Sequence, residues 1–119
     1  MAQNGALGEC YAAEYLLKKG YKIAARNFRS RFGEIDIIAE NPDIVAFVEV
    51  KTRERHYISR PAEAVTLQKQ QKIIKTAQFY LLQNDKGLQP RFDVIEIVTV
   101  SKNDFHVLEI EHIEDAFGV

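Results

Sequence analysis

The stretch Ile44-Val45-Ala46-Phe47-Val48-Glu49-Val50-Lys51-Thr52 decides the fold. Its first five residues are apolar at every position, the pattern of a strand covered on both faces and therefore central in its sheet. A strand with one wet face would alternate instead. From Val48 onward alternation does appear, so Val48 and Val50 share one face while Glu49 and Lys51 emerge together on the other. A carboxylate and an ammonium at the end of a buried strand are each costly to desolvate unless a partner, water or a metal answers them.

Working outward, Asn41-Pro42-Asp43 and Arg31-Phe32-Gly33 are turn signals that separate two further β-like stretches, Tyr21 to Arg29 and Glu34 to Glu40. With the central strand they form an antiparallel meander. Before them, Leu7, Cys10, Tyr11, Leu16 and Leu17 recur at helical spacing with two alanines between, and Lys18-Lys19-Gly20 supplies a stop, so a helix is expected from about Gln3 to Lys19. After the central strand, Pro61 to Val65 reads as a short helical turn. Thr66 is a plausible N-cap for a longer helix carrying Ile73, Ile74, Ala77, Tyr80 and Leu81 and stopping near Asn84 to Gly87. Phe92 to Val100 and Phe105 to Ile110 follow as strands joined by Ser101 to Asp104. The order αβββαββ places the chain in the α/β class, with a mixed sheet of about five strands flanked by helices. At 119 residues, with no repeat or linker, it is expected to be one domain, residues 1–119.

Composition excludes several classes. The only cysteine, Cys10, leaves no internal disulfide and no sulfur-based zinc site, and is expected to be a buried structural thiol. The start, Met1 to Gly5, does not resemble a targeting peptide, and the longest plainly apolar run is far too short to span a bilayer. A cytoplasmic protein with no membrane partner is the expectation. The net charge of −1 hides an uneven distribution. Lys18, Lys19, Lys22, Arg26, Arg29 and Arg31 have no acid among them, whereas Asp93 to Val119 holds seven acids against Lys102 alone. One surface should attract polyanions while another stays acidic.

On the strand before the central one, Glu34 and Asp36 point opposite to Ile35 and Ile37, and the Asn41-Pro42-Asp43 hairpin would set Asp36 beside Glu49. Two neighbouring carboxylates repel, and a hard divalent cation such as Mg²⁺ or Mn²⁺ is the usual remedy. The plainer reading is a cross-strand Glu-Lys pair with Asp36 in a turn. In the first helix Glu9 shares the side of Ala13 and Leu16, so it points inward and would complete a carboxylate cluster. Arg29 and Arg31 flank the first hairpin, and Arg53, Arg55 and Arg60 leave the central strand in a loop. They suit phosphate contacts, which position nucleic acid without reading sequence, or they are simply solvated. Phe28 and Phe32 are expected in the core. His56, His106 and His112 lack metal-ligand spacing, and a structural role is expected for His112.

Several blocks together resemble a known family: Gly8-Glu9, Arg26-Asn27-Phe28-Arg29, Gly33-Glu34-Ile35-Asp36-Ile37-Ile38-Ala39, Phe47-Val48-Glu49-Val50-Lys51-Thr52-Arg53, Pro61 to Thr66, Lys69-Gln70, Arg91-Phe92-Asp93-Val94 and Ile110-Glu111-His112-Ile113. From about Leu7 to Phe117 the chain resembles the YraN-like proteins, relatives of archaeal Holliday-junction resolvases in the restriction-endonuclease-like superfamily. The resemblance implies a restriction-endonuclease-like core with a catalytic set of Asp36, Glu49, Lys51 and Glu9. Mg²⁺, with Mn²⁺ as substitute, would be held by Asp36, Glu49, Glu9 and Val50, with Lys51 beside the attacking water. Lys69 and Gln70 would join Arg29, Arg31, Arg53 and Arg55 in binding nucleic acid, most simply DNA. Ile35-Asp36 departs from the superfamily's nominal Pro-Asp, and Gln71 stands where a basic residue is expected. The implied function is a metal-dependent endonuclease acting on structured or branched DNA. The alternative is a non-catalytic nucleic-acid-binding protein on the same scaffold. A homodimer is implied by analogy alone.

Overall fold

The computed structural model describes residues 2–55, 65–101 and 103–118, the side chains of residues 2–5 excepted. His56, Arg60 and the Pro61–Ala64 part of the expected helical turn lie outside the described residues. The elements are α1 (Ala2–Lys18), β1 (Lys22–Arg29), β2 (Glu34–Glu40), β3 (Ile44–Glu54), α2 (Leu67–Asn84), β4 (Gln89–Ser101) and β5 (Asp104–Phe117). This is the expected α/β order. The last strand runs further than expected, to Phe117, because residues beyond Ile110 keep pairing with β4.

The five strands lie in sequence order, with β3 in the middle. β1, β2 and β3 form the antiparallel meander. β3 and β4 are parallel, in register from Ile44↔Gln89 to Glu54↔Thr99, and β5 returns antiparallel to β4. A parallel pair cannot be closed by a tight turn, so the chain crosses over through α2.

Helices cover both faces. Ala46 and Val48 face α1 together with Ile37, Ala39, Ile95 and Ile97, whereas Val45 and Phe47 face α2 together with Ile35, Ile38, Phe92 and Val94. This two-sided burial explains the unbroken apolar run of β3, each fully buried aliphatic side chain contributing about 1.5–3 kcal/mol. On α1 the residues that dock are Ala12, Ala13 and Leu16, while Leu7, Tyr11 and Leu17 are exposed. Cys10 is exposed as well, so the expectation of a buried thiol is corrected. At Gly8 the helix lies too close to the sheet for a side chain: a Cβ there would clash with Thr52 Oγ1.

α2 begins at its expected cap, where Thr66 Oγ1 accepts the Lys69 backbone N–H at 3.1 Å. Such a cap contributes about 1 kcal/mol. The helix buries Ile73, Thr76, Ala77 and Tyr80. The β1–β2 turn leans on it through Ser30 Oγ and Thr76 Oγ1, 3.1 Å apart.

A buried polar network stands on the α1 face of β4. Asp93, fully buried, receives both Arg91 Nε and Nη2 at 2.8 and 2.7 Å and the Asp115 N–H at 3.0 Å, and pairs with His112 Nε2 at 2.8 Å. Burial alone would raise the Asp93 carboxyl, but His112, Arg91 and the Asp115 amide hold it below its ordinary value. His112 has the structural role expected of it, with Lys19 Nζ 3.0 Å from its Nδ1.

The two edge strands differ in charge. β1 carries Lys22, Arg26 and Arg29 and no acid, whereas β5 carries Asp104, Glu109, Glu111, Glu114 and Asp115 and no lysine or arginine. Each edge strand also holds one residue with left-handed backbone, Asn27 (φ 53°) in β1 and Asp115 (φ 54°) in β5.

Candidate metal and nucleic-acid site

β2 and β3 are paired only from Glu40↔Val45 to Ile37↔Val48. Beyond that point β2 stays with β1 as far as Glu34↔Arg29, and β3 stays with β4 as far as Glu54↔Thr99. The two middle strands therefore part in the centre of the sheet, just where Asp36 and Glu49 follow. Asp36 partly closes the gap, its Oδ2 accepting the Val50 N–H at 2.8 Å. A ladder bond that β2 would have supplied with its backbone is supplied by a carboxylate.

Glu49 is 5% exposed, and its Oε2 is met by two ammonium groups, Lys69 Nζ at 2.6 Å and Lys51 Nζ at 3.4 Å. Lys51 comes from the same strand face, as the alternation of β3 dictates. Lys69 reaches in from the first turn of α2. Burial would lower the Lys69 ammonium, but the bond to Glu49 and the charges of Glu49 and Asp36 outweigh it and raise it. Asp36 is pushed up to about 7 from 3.8, first by burial and then by the Glu49 carboxylate, with Glu9 adding to the rise and the Val50 N–H opposing it. Two lysines thus answer Glu49 better than they answer Asp36.

Glu9 on α1 is near enough to act on Asp36 electrostatically, and its Oε1 lies 3.9 Å from Arg26 Nη2. Among the described residues no group of three His, Cys, Asp or Glu side chains is gathered as a metal site. The structure thus brings together Asp36, Glu49, Lys51, Lys69 and the Val50 amide, with Glu9 at the margin.

The expected nucleic-acid residues separate into three groups. Lys69 lies at the centre and also lines a cavity of about 300 Å³ with Gly33, Glu34, Thr66, Gln68, Lys72 and Ile73, between the β1–β2 turn and α2. Arg29 and Arg31 stand exposed beside that turn, Arg29 Nε 2.6 Å from Glu34 Oε2 and the Arg31 guanidinium 5.0 Å from the Phe32 ring centre. Phe32 is partly exposed, while Phe28 packs against Tyr80 and Phe79. Others are engaged structurally. Gln70 Nε2 donates to the Val65 carbonyl at 3.0 Å, and Arg53 pairs with Glu96, a carboxylate only 2% exposed. The exposed Arg55 ties its backbone N–H to the Thr99 carbonyl.

Sequence reasoning placed Lys69 on phosphate and missed its bond to Glu49, because a partner brought in by a separate helix leaves no mark at fixed spacing. The Arg91–Asp93 pair was missed as well, although residues two apart on a strand share a face and Arg91-Phe92-Asp93 carried that signal.

A family model described as "Uncharacterised protein family UPF0102" matches residues 8–97, a span that includes every residue of this centre. Similar chains include UPF0102 proteins from Persephonella marina, 53% identical over 105 residues (87% of this chain and 89% of that one), and from Caldanaerobacter subterraneus subsp. tengcongensis, 47% identical over 114 residues (95% and 93%). A UPF0102 protein from Clostridium tetani is 46% identical over 116 residues, covering 97% of this chain and 93% of that one.

Proposed function

Since this chain belongs to the uncharacterised protein family UPF0102, whose name assigns no chemistry, we propose a function from the site itself: a metal-dependent endonuclease that acts on structured or branched DNA. The observation that carries the reading is the pair of carboxylates, Asp36 half-buried and Glu49 buried, side by side where β2 and β3 part, with two lysines converging on Glu49.

The donor set fits a hard divalent cation. It offers carboxylate oxygens without sulfur or imidazole, and Asp36 is pushed up to about 7, which marks negative charge that the lysines leave uncompensated. Asp36 and Glu49 would hold the ion, with Val50 and Glu9 as further donors. Magnesium commonly keeps several waters and takes only one or two protein carboxylates, so a set this sparse is adequate. When bound, the ion would polarise a phosphate and lower the pKa of a water.

The chain's own residues supply the remainder. Lys51 stands as a fixed cation 3.4 Å from Glu49, placed to stabilise charge developing on phosphoryl oxygens. Arg29 and Arg31, exposed at the β1–β2 turn, and Lys69 and Lys72, lining the cavity beside it, would hold the DNA backbone. The basic edge at β1 and the acidic edge at β5 orient the polyanion toward the first.

The test is cleavage of labelled four-way junction, flap, single-stranded and linear duplex DNA in Mg²⁺ or Mn²⁺ by the wild type and Asp36→Asn. Cleavage of branched forms that Asp36→Asn abolishes, with binding retained, is the expected result. Equal cleavage by both proteins would remove Asp36 from the mechanism. Binding without cleavage by either would favour the non-catalytic nucleic-acid-binding reading.

A further inference from the structure

Lys69 belongs to two places at once. Its ammonium is 2.6 Å from Glu49 Oε2, the shorter of the two lysine contacts on that oxygen. The same side chain, 43% exposed, lines the cavity between the β1–β2 turn and α2, where Lys72 is the other cation. Glu49 is almost fully buried and Lys69 is not, so the carboxylate is fixed while the ammonium is the partner free to turn.

Resting on the reading of the site given above, we propose that Lys69 couples the two ligands: it neutralises Glu49 when no divalent cation is bound, and moves to a DNA phosphate in the adjoining cavity when the cation takes its place. An ammonium at 2.6 Å and a divalent cation on the same carboxylate repel each other, so each weakens the other's hold. A phosphate in the cavity offers Lys69 a second anionic partner and removes that competition. By linkage the cation must then strengthen phosphate binding by the same factor. Lys51 cannot serve in this way, since it issues from β3 itself and shares the face of Glu49. Lys72 lines the cavity without an ion pair to Glu49, which makes it the internal comparison.

The experiment measures Mn²⁺ affinity by electron paramagnetic resonance, with and without a short phosphorothioate DNA strand that resists cleavage. Wild type, Lys69→Met, Lys69→Arg, Lys72→Met and Asp36→Asn are compared, each checked for folding by circular dichroism. In the wild type the DNA should tighten Mn²⁺ by about tenfold. Lys69→Met should bind Mn²⁺ more tightly than the wild type without DNA and show no further gain with it. Lys69→Arg should retain the coupling. Lys72→Met should weaken DNA binding while leaving Mn²⁺ affinity without DNA unchanged. If Lys69→Met matches the wild type in both conditions, the shared role is overturned and the carboxylate site stands. If Mn²⁺ binds neither the wild type nor Lys69→Met, or binds Asp36→Asn as well as the wild type, the underlying site fails and the coupling with it.

Discussion

Replacing Asp36 by asparagine should stabilise the protein above neutral pH while destroying the site. The Asp36 carboxyl, ordinarily near 3.8, is pushed up to about 7 by burial and by Glu49. Between those values the folded protein holds a proton that the unfolded chain has released. Stability therefore falls as pH rises through the window, and the deficit is complete above about 7. A separation of about three pH units, at about 1.4 kcal/mol each, sets an upper bound of about 4 kcal/mol. Part of it persists in the variant, because the asparagine amide is itself polar and must still be desolvated. Asparagine keeps an oxygen able to accept the Val50 N–H, so the local hydrogen bond survives. With five tyrosines and no tryptophan, urea unfolding is best followed by far-ultraviolet circular dichroism. The two proteins should have similar midpoints below about pH 4 and diverge in favour of Asp36→Asn by about 2–4 kcal/mol above about pH 7. Adding Mg²⁺ at the higher pH should narrow the gap by stabilising only the wild type. A difference that does not vary with pH, or a variant less stable than the wild type at high pH, would refute the argument that Asp36 carries uncompensated buried charge.

Other perturbations test the frame around the site. Asp93→Ala strands the Arg91 and His112 groups that converge on it and should cost about 3–5 kcal/mol in urea unfolding; a loss below about 1 kcal/mol would mean the network contributes little. Gly8→Ala puts a methyl 2.3 Å from Thr52 Oγ1 and should cost about 1–3 kcal/mol, with most of the loss recovered in the Gly8→Ala, Thr52→Ala pair; additive costs would show that the contact is not the cause. Arg53→Met leaves the buried Glu96 carboxylate without its guanidinium and should cost about 3–5 kcal/mol at neutral pH, while DNA affinity changes less than in Lys72→Met; the reverse ranking would return Arg53 to the phosphate surface.

The fold was legible because its strongest cues are local. Five consecutive apolar residues identified the centre of the sheet, Thr66 marked the start of α2, and two turn clusters delimited the meander. What remained hidden depends on distance of approach or on chain separation. Nothing in the spacing of Leu7, Cys10 and Tyr11 tells that the sheet lies too near α1 at Gly8 for a side chain, so that Gly8, Ala12, Ala13 and Leu16 take the inner face and Cys10 the outer. The approach of Asp36 to Glu49 followed from the short hairpin, whereas the strict alternation expected of Glu34 to Ile37 is corrected, since Ile35 faces α2 and Ile37 faces α1. The parting of β2 and β3, which turns those neighbours into a cleft, is a property of the pairing and not of either strand. Arg53 shows the same limit, since an arginine after a charged strand reads as a free phosphate ligand until Glu96, more than forty residues later, proves to be its partner.

An open sheet with a basic strand at one end and an acidic strand at the other is built to stick to itself. Edge β1 of one molecule and edge β5 of the next attract each other, and because the two edges are different, each addition leaves a fresh pair of ends, the geometry of a growing filament. Asn27 and Asp115, the residues with left-handed backbone, lie on those two strands. Asp115 lies where β5 slips register against β4, and its amide is turned inward to Asp93 and so withdrawn from any incoming chain; on β1 the register slips between Ile23 and Ala25. The molecule thereby keeps a charge gradient across its width without offering a straight template at either end. Strand irregularities of this kind oppose edge-to-edge polymerisation, which the charge gradient alone would favour at low ionic strength.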